Sequence, residues 1–269
     1  MVELSAVPET AAQPFSDTTK VACYGEYGSL KTLQIGHLIS AFGAENVGIV
    51  SVERGLGTIR SLIQSDNIYP ATTLEDLRGA WAWADKKFNA ADKWVCIDGG
   101  TRMMQLLAND QFAGVDRVFE RKAKGLDIRA ADVPYTRFLN DDGVIDAQKV
   151  YGRIGRDSEI ILGSWLRLKS NLYVNYLQDL TGSNKREKTY PFGPDVPGRV
   201  GLRAVMSSFD YVLHLGLDDS GKLVARTRAT PMYLARTRED RNAGITIAPE
   251  IVNFNLAGFV TQIQGGTTH

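Results

Sequence analysis

Residues 25–32 carry the strongest chemical signal in this chain. They read G-E-Y-G-S-L-K-T and directly follow a short apolar run at 21–24. An apolar strand, a glycine-bearing turn and a Lys-Thr pair, in that order, are typical of a phosphate-binding loop, whose standard pattern is G-x-x-x-x-G-K-[ST]. The first glycine, the lysine and the threonine fit that pattern, whereas Leu30 stands where the second glycine is expected.

Phosphate binding requires these residue types. Inward-pointing backbone N–H groups and a helix N-terminus hold polyphosphate, so Lys31 would reach the β- and γ-phosphates and Thr32 would contact Mg²⁺. Gly28 supplies a second permissive backbone position, whereas a side chain at position 30 would crowd the phosphate. The alternative is an ordinary strand-to-helix turn with a solvated lysine. The predicted nucleotide contacts are Gly25, Glu26, Tyr27, Gly28, Ser29, Leu30, Lys31 and Thr32.

Two acidic residues stand at the ends of predicted buried strands. Asp98 follows the apolar run 94–97, and Glu53 follows the run 46–52. The carboxyl ends of parallel strands face the crevice where open α/β sheets bind ligands. Asp98 is therefore predicted to hold Mg²⁺, and Glu53 to position or deprotonate an attacking water. The alternatives are a helix-capping role for Asp98 and a surface ion pair between Glu53 and Arg54.

Gln178 ends a further predicted strand. Its amide is predicted to sense the γ-phosphate through a hydrogen bond, although glutamine at a strand end is commonly inert.

Composition limits the class of protein. The chain has 269 residues with 43% hydrophobic and 23% charged, which is typical of a globular protein. Its 31 basic and 31 acidic residues cancel, so any nucleic-acid site must be a local patch. Both cysteines lie in apolar runs and are expected to be buried and reduced, and three scattered histidines give no zinc spacing. No apolar run is long enough to span a membrane, so a cytoplasmic protein is predicted.

Apolar strand candidates alternate with helical segments. Continuous apolar runs are typical of strands buried on both faces, and the alternation predicts βαβ units and a parallel sheet. Residues 218–221 indicate a hairpin, so 222–228 and 232–238 are predicted as antiparallel strands at a sheet edge. The predicted strands are 20–24, 46–52, 93–98, 171–178 and 209–217, and the predicted helices are 31–42, 56–64, 74–89, 101–107 and 154–168.

The same pattern predicts the domain organisation. Residues 1–17, rich in Ala, Pro, Ser and Thr, are predicted to form a flexible N-terminal arm. Residues 18–250 form one core, followed by a C-terminal extension at 251–269. Within the core, 120–150 and 179–199 are predicted to be irregular insertions, which are usually functional or mobile.

The phosphate loop, Glu53, Asp98, Gln178 and the basic loop that follows together resemble the RecA-type P-loop ATPases. More narrowly, the chain is similar to small phage-encoded AAA/RecA-fold ATPases of the Sak-type single-strand annealing and recombination group. The resemblance covers roughly residues 18–250. The closer match is carried by S-V-E-R-G at 51–55, W-V-C-I-D at 94–98, G-P-D-V-P-G-R at 193–199 and Y-L-A-R-T-R at 233–238.

This resemblance implies an α/β fold of the RecA-like P-loop NTPase type. It is a three-layer sandwich with a mostly parallel sheet and antiparallel strands at its C-terminal edge. The strand 171–178 would be inserted between the P-loop strand and the strand bearing Asp98. The implied activity is Mg-dependent ATP hydrolysis, with Gln178 coupling the nucleotide state to a DNA-binding loop at 179–199. The implied catalytic residues are Lys31, Glu53, Asp98 and Gln178, and the implied Mg²⁺ ligands are Thr32 and Asp98.

The resemblance also implies rings or filaments in which a basic residue of a neighbouring subunit completes each ATP site. The candidates are Arg236, Arg238 and Arg241, with Arg226 and Arg228 behind them; the alternative is a solvated edge strand.

Single-stranded DNA is the predicted partner. Proteins that bind single strands without sequence preference combine a basic groove with aromatic side chains on which the bases stack. A second basic segment, 117–129, is another candidate; for either segment the alternative is a solvated charged face. Single-strand-binding or replication proteins are further predicted partners. The location would be the host cytoplasm if the protein is phage-encoded. The predicted DNA contacts are Lys185, Arg186, Lys188, Tyr190, Phe192 and Arg199.

The sequence supports two hypotheses from different classes. The first is an ATP-hydrolysing protein that acts on single-stranded DNA in recombination, annealing or replication. The alternative is an assembly or loader module with weak or no ATPase activity, which Leu30 and the balanced charge favour. A small-molecule kinase fits less well, because no lid segment can be identified.

Overall fold

The computed structural model describes residues 18–53, 55–180, 192–238 and 246–265. This part of the chain forms a ten-stranded sheet with helices on both faces. The predicted arm at 1–17 lies outside the described residues. The strands are β1 (Lys20–Gly25), β2 (Val47–Ser51), β3 (Ile68–Pro70), β4 (Trp94–Asp98), β5 (Asn171–Leu180), β6 (Phe192–Pro194), β7 (Tyr211–Leu217), β8 (Leu223–Arg226), β9 (Arg236–Thr237) and β10 (Glu250–Val252).

The helices begin after β1 and alternate with the strands. Short 3₁₀ segments at Ala44–Asn46, Leu56–Leu62 and Ser65–Asn67 join the early elements. Among the helices in the described ranges, none is both long and apolar enough to cross a lipid bilayer. The helices are α1 (Lys31–Phe42), α2 (Leu74–Phe88), α3 (Gly100–Ala123), α4 (Ala147–Leu166), α5 (Gly198–Ser208) and α6 (Leu256–Gly265).

The strand order is β10-β8-β7-β1-β5-β4-β2-β3. The strands from β7 to β3 along this order run parallel. β5 lies between β1 and β4, so the predicted inserted strand is confirmed. β2 flanks β4, which brings the two predicted carboxylates to one edge of the sheet. β8 and β10 pair antiparallel after the hairpin, which confirms the predicted antiparallel edge.

Residues of one strand alternate between two apolar layers. Val21 and Cys23 of β1 pack in the cluster that holds α1 and α6. Ala22 and Tyr24 pack on the opposite face, in the cluster that holds α2, α3, α4 and α5. Because both faces are covered, both sets of positions are apolar, and the strands appear in the sequence as continuous apolar runs. The result is a three-layer α/β sandwich.

The stretch 120–150 is not the irregular insertion that we predict from the sequence. α3 continues to Ala123 instead of ending at 107, a 3₁₀ segment covers Ala130–Phe138, and α4 begins at Ala147. These elements bury a third apolar cluster. The charged, exposed face of α3 hides its helical period, which is visible in the buried residues Met104, Leu107, Gln111, Val115 and Val118.

Three further differences concern the second half of the chain. The predicted strand at 232–238 is reduced to the two residues of β9. Of the predicted irregular segment 179–199, the residues 192–194 form β6 and α5 begins at Gly198, whereas 181–191 lie outside the described residues. α6, inside the predicted C-terminal extension, packs in the same apolar cluster as α1, and the Leu256 N–H donates to buried Gln34 Oε1 at 2.9 Å. The described part of the extension therefore belongs to the core.

Candidate functional site

The loop between β1 and α1 depends on two of its glycines. A Cβ at Gly25 would lie 2.2 Å from the Leu215 carbonyl oxygen of β7, so the sheet itself excludes a side chain there. Gly28 has a φ of +81°, in the left-handed region that glycine enters at little cost. Packing within the sheet thus requires glycine where the loop begins, and the left-handed backbone of the turn favours glycine at position 28.

Leu30 occupies the position where the standard pattern has glycine, and its backbone shows why glycine is usual there. It has φ 57° and ψ 27°, the left-handed conformation. For a residue with a side chain this conformation costs about 1–2 kcal/mol. The Leu30 side chain is 41% exposed, so it is turned partly to solvent. The presence of leucine instead of glycine at position 30 therefore strains the backbone at the start of α1.

Lys31 is folded back over the loop. Its Nζ donates to Gly25 O and Ser29 Oγ, both at 2.9 Å, and to Glu26 O at 2.5 Å. Burial lowers the pKa of Lys31 to about 8, against the opposing effect of the nearby Glu53 carboxylate. A partly desolvated ammonium group at a helix N-terminus is a strong partner for an anion.

Thr32 and Asp98 meet in the crevice at the end of the sheet. Thr32 Oγ1 donates to Asp98 Oδ1 at 2.9 Å, and Asn175 Nδ2 donates to the same oxygen at 2.6 Å. Asp98 Oδ2 is buried and has no hydrogen-bond partner among the described residues. Burial raises the pKa of Asp98, although the hydrogen bonds from Asn175 and Thr32 oppose this rise.

This oxygen-rich corner fits a magnesium ion. Mg²⁺ prefers carboxylate and hydroxyl oxygens, and it would neutralise the buried carboxylate that now has one bare oxygen. Asn175, which sequence reasoning missed, holds the corner together, because its Oδ1 also accepts the Gly99 N–H at 2.7 Å. A polar residue inside the apolar run of β5 was the available signal.

Glu53 lies beside Asp98 in the same crevice. The backbone N–H groups of Val52 and Glu53 donate to the Asp98 carbonyl at 2.9 and 3.3 Å. A Cβ at Gly99 would lie 2.7 Å from Glu53 Cγ, so the side chain lies against that glycine. Burial raises the pKa of Glu53, and the Asp98 charge adds to the effect. A carboxylate of raised pKa suits proton abstraction from water. Its suggested partner Arg54 lies outside the described residues.

Gln178 reaches the phosphate loop from the end of β5. Its Nε2 donates to Glu26 Oε1 at 2.9 Å, and its Oε1 lies 3.0 Å from His214 Nε2 on β7. The structure thus brings Lys31, Glu53, Asp98 and Gln178 together at one edge of the sheet. Sequence reasoning missed His214, which it treated only as one of three scattered histidines.

The candidate inter-subunit arginines have partners within their own chain. Arg236 donates to Met206 O at 2.7 Å, and Arg238 pairs with Asp210 at 3.0 Å with half of its side chain exposed. Arg226 pairs with Glu250 at 3.0 Å. Arg241 lies outside the described residues. Arg228 is exposed as well. In the Arg238 pair the guanidinium side is more than half exposed, so this arginine can exchange partners at low cost.

The predicted DNA contacts are described only in part. Lys185, Arg186, Lys188 and Tyr190 lie outside the described residues. Phe192 is half-buried in β6 and stacks on Tyr233, with ring centroids 5.8 Å apart, so one face of its ring is already covered. Arg199 is exposed at the start of α5.

The second basic segment, 117–129, forms contacts with neighbouring residues of its own chain. Arg117 pairs with the buried Asp132 at 2.9 Å, and Arg121 donates to the Asp127 carbonyl at 2.6 Å. Arg117 therefore ties α3 to the 3₁₀ segment that follows it, and Arg121 ties α3 to the turn between them.

The cysteines agree with the sequence. Cys23 and Cys96 are buried, free thiols, as predicted. Within the described ranges, no three His, Cys, Asp or Glu side chains cluster as a metal site. Burial raises the pKa of Cys23 to about 12, which keeps the thiol protonated and unreactive.

The strand order and the site together define the class of fold. A phosphate loop follows β1, a carboxylate ends β4, and β5 is inserted between these two strands of a parallel sheet. The chain therefore has the fold of a RecA-like P-loop nucleoside triphosphatase. This assignment rests on the topology and the loop.

One solved structure similar to this chain is the assembled ATPase EscN from the type III secretion system of enteropathogenic E. coli. The two share 15% sequence identity with a TM-score of 0.39, over 74% of this chain and 43% of that chain. This chain thus covers less than half of EscN. No protein-family model and no curated protein matches the chain.

Proposed function

We propose that the protein binds ATP with Mg²⁺ at the crevice between the phosphate loop and Asp98, and that it hydrolyses this ATP. One observation carries the proposal. The Thr32 hydroxyl and the Asp98 carboxylate are hydrogen-bonded at 2.9 Å, and the second Asp98 oxygen is buried without a partner. A carboxylate with one bare oxygen is costly unless a cation or a donor arrives there.

The residues of the crevice divide the chemistry between them. Thr32 and Asp98 would hold Mg²⁺, which when bound neutralises phosphate charge. Lys31 would exchange its contacts with the Gly25 and Glu26 carbonyl groups for phosphate oxygens. That exchange is favourable because an ammonium–phosphate hydrogen bond is stronger than one to a neutral carbonyl. Glu53 would accept a proton from the attacking water.

The biological setting is a finer part of the same proposal. The motif resemblance supports action on single-stranded DNA in recombination, annealing or replication, assembly into a ring or filament, and membership of the phage annealing group. The exposed Arg238 pair with Asp210 suits a residue that reaches a neighbouring subunit's nucleotide, and the exposed Arg199 suits a DNA contact. Single-strand-binding or replication proteins would be further partners.

Hydrolysis of Mg-ATP by wild type and by Lys31→Ala, with and without single-stranded DNA, tests the proposal. We expect about a 100-fold loss of kcat/KM in Lys31→Ala, because the variant loses the cation that faces the developing charge. Lys86→Ala, which removes an exposed lysine of α2, is the matched control and should behave as wild type. A Lys31→Ala variant with full DNA-stimulated ATPase activity contradicts the proposal.

A second function, a structural module without turnover, is favoured by one observation. All three Lys31 hydrogen bonds go to the loop itself, and Leu30 adds strain. Isothermal titration of the wild type with Mg-ATP separates the two functions. Micromolar binding with turnover excludes the module, whereas binding without turnover, or no binding, supports it.

A further inference from the structure

His214 of β7 lies between Gln178 and Arg226. It is 3% exposed. Its Nε2 is 3.0 Å from Gln178 Oε1, and its Nδ1 is 3.1 Å from a terminal guanidinium nitrogen of Arg226. Gln178 in turn donates from Nε2 to Glu26 Oε1 of the phosphate loop at 2.9 Å. These four side chains form one continuous chain of hydrogen bonds.

The proton positions in this chain follow from one fact: arginine can only donate. His214 Nδ1 must therefore accept from Arg226 and cannot carry a proton. In a neutral ring the proton then lies on Nε2, which donates to Gln178 Oε1. Because the oxygen of the Gln178 amide is turned to His214, its NH₂ group must face the phosphate loop.

The surroundings keep the His214 ring neutral and in place. Tyr233 stacks on it with ring centroids 3.9 Å apart, and Tyr24 packs at 5.1 Å. Burial, with the charges of Arg226 and Lys31 acting in the same direction, lowers the pKa of His214 to about 3. The imidazole therefore has one tautomer and one orientation at neutral pH.

Arg226 is held by two further contacts. Its Nε donates to Glu250 of β10 at 3.0 Å, and its guanidinium carbon lies 4.8 Å from the centre of the Tyr233 ring. The direction in which each group donates is thus set by Arg226, on the antiparallel strand β8, and it determines the orientation of the Gln178 amide on β5.

We propose that His214 and Arg226 are positioning residues that lock the Gln178 amide with its NH₂ group toward the nucleotide. The inference rests on the proposed function, because Gln178 can donate to a γ-phosphate only if the loop binds ATP. In the nucleotide-free arrangement that donor is held by Glu26, a carboxylate. Bound polyphosphate repels Glu26, and the NH₂ group is then already aimed at the phosphate oxygens.

The tautomer of His214 can be measured without nucleotide. Long-range ¹H–¹⁵N NMR on the full chain should show a neutral Nε2–H ring for His214 that does not titrate between about pH 5 and 8. The chain has three histidines, so the His214→Gln variant assigns the signal by its absence. A proton on Nδ1, or a titration near pH 6.5, overturns the inference whether or not the protein hydrolyses ATP.

Kinetics then test the positioning role. His214→Phe keeps a ring against Tyr233 but neither donates nor accepts, and His214→Gln keeps both capacities. We expect kcat to fall about tenfold in His214→Phe, with the dissociation constant for ATP changed less than about threefold, because the donor is misoriented rather than removed. His214→Gln should retain kcat within about threefold.

Equal kcat values for His214→Phe and wild type overturn the positioning role. Equal losses in His214→Phe and His214→Gln also overturn it, since they indicate a structural defect. A wild type that neither binds nor hydrolyses ATP refutes the proposed function instead, and the NMR measurement still decides the proton positions of the chain.

Discussion

The N-termini of α1 and α2 are satisfied in opposite ways. α2 begins with a capping box, in which Thr73 Oγ1 accepts the Asp76 N–H at 3.1 Å and the Asp76 carboxylate accepts the N–H groups of Thr72 and Thr73. α1 begins at strained Leu30, with no side-chain cap among the described residues and no acidic residue in its first turn. Both helix ends carry partial positive charge.

The difference shows what each helix end is suited for. Hydrogen bonds from Thr72 and Thr73 hold the pKa of Asp76 below its usual range, as expected where a protein anion caps the helix. The first residue of α1 is the cation Lys31, whose ammonium group lies over the loop and adds to the positive potential there. α2 is complete in itself, whereas α1 is arranged to receive an anion from outside.

The largest effect should come from removing the charge of the carboxylate that faces the α1 loop. In Asp98→Asn we expect Mg-ATP hydrolysis to fall about 100-fold, because the buried oxygen ligand for Mg²⁺ loses its charge. The amide has the same shape, so the melting temperature should change little. Asp92→Asn, an exposed site before β4, is the control in a steady-state phosphate-release assay. Undiminished hydrolysis by Asp98→Asn would exclude the assigned metal corner.

A tenfold change in ATP affinity should follow from a change in pH. Lys31, with a pKa of about 8, is charged below that pH and neutral above it, and bound phosphate would favour the charged form. ATP affinity should therefore be highest below about pH 7 and fall about tenfold between pH 7 and 9. Lys31→Arg stays charged, so its affinity measured by titration calorimetry should not fall. A parallel fall in both proteins would show that Lys31 is not the titrating group.

A carboxylate placed at the start of α1 should make it resemble α2. Asp tolerates the left-handed conformation better than Leu and favours a helix N-terminus, so Leu30→Asp should raise the free energy of unfolding by about 1 kcal/mol. The same charge should weaken ATP binding about fivefold through repulsion of phosphate.

The matched control is Leu30→Asn, which relieves the same backbone strain without adding charge. Urea unfolding should show a similar gain in stability for Leu30→Asn, and calorimetry should show unchanged ATP affinity. If Leu30→Asp binds ATP as tightly as Leu30→Asn, the phosphates do not lie at this helix end.

The smallest effect should come from breaking the cap of α2. Thr73→Ala removes the side-chain acceptor for the Asp76 N–H and should lower the free energy of unfolding by about 1 kcal/mol in urea denaturation. Because the cap serves stability alone, Mg-ATP affinity should be unchanged. A loss of ATP affinity as large as that of Leu30→Asp would refute the division of roles between the two helix ends.

The sequence predicts five of the six parallel strands, because each of the five is rich in apolar residues. It does not predict β3, which has only three residues. Nor does it predict Asn175 and His214 as site residues. Asn175 lies 77 residues from Asp98, and His214 lies 36 residues from Gln178, so their partners become visible only when the strand order is known. The long α3 was missed for another reason, since its exposed face is charged and masks the helical repeat.

An experimental structure with a non-hydrolysable ATP analogue and Mg²⁺ tests the central claim most directly. We predict that its phosphates lie against the backbone N–H groups of 28–32, with Lys31 Nζ moved from the Gly25 carbonyl to a phosphate oxygen and Mg²⁺ between Thr32 and Asp98. Phosphates bound elsewhere, or a metal that leaves Asp98 untouched, would contradict the assignment of the nucleotide site.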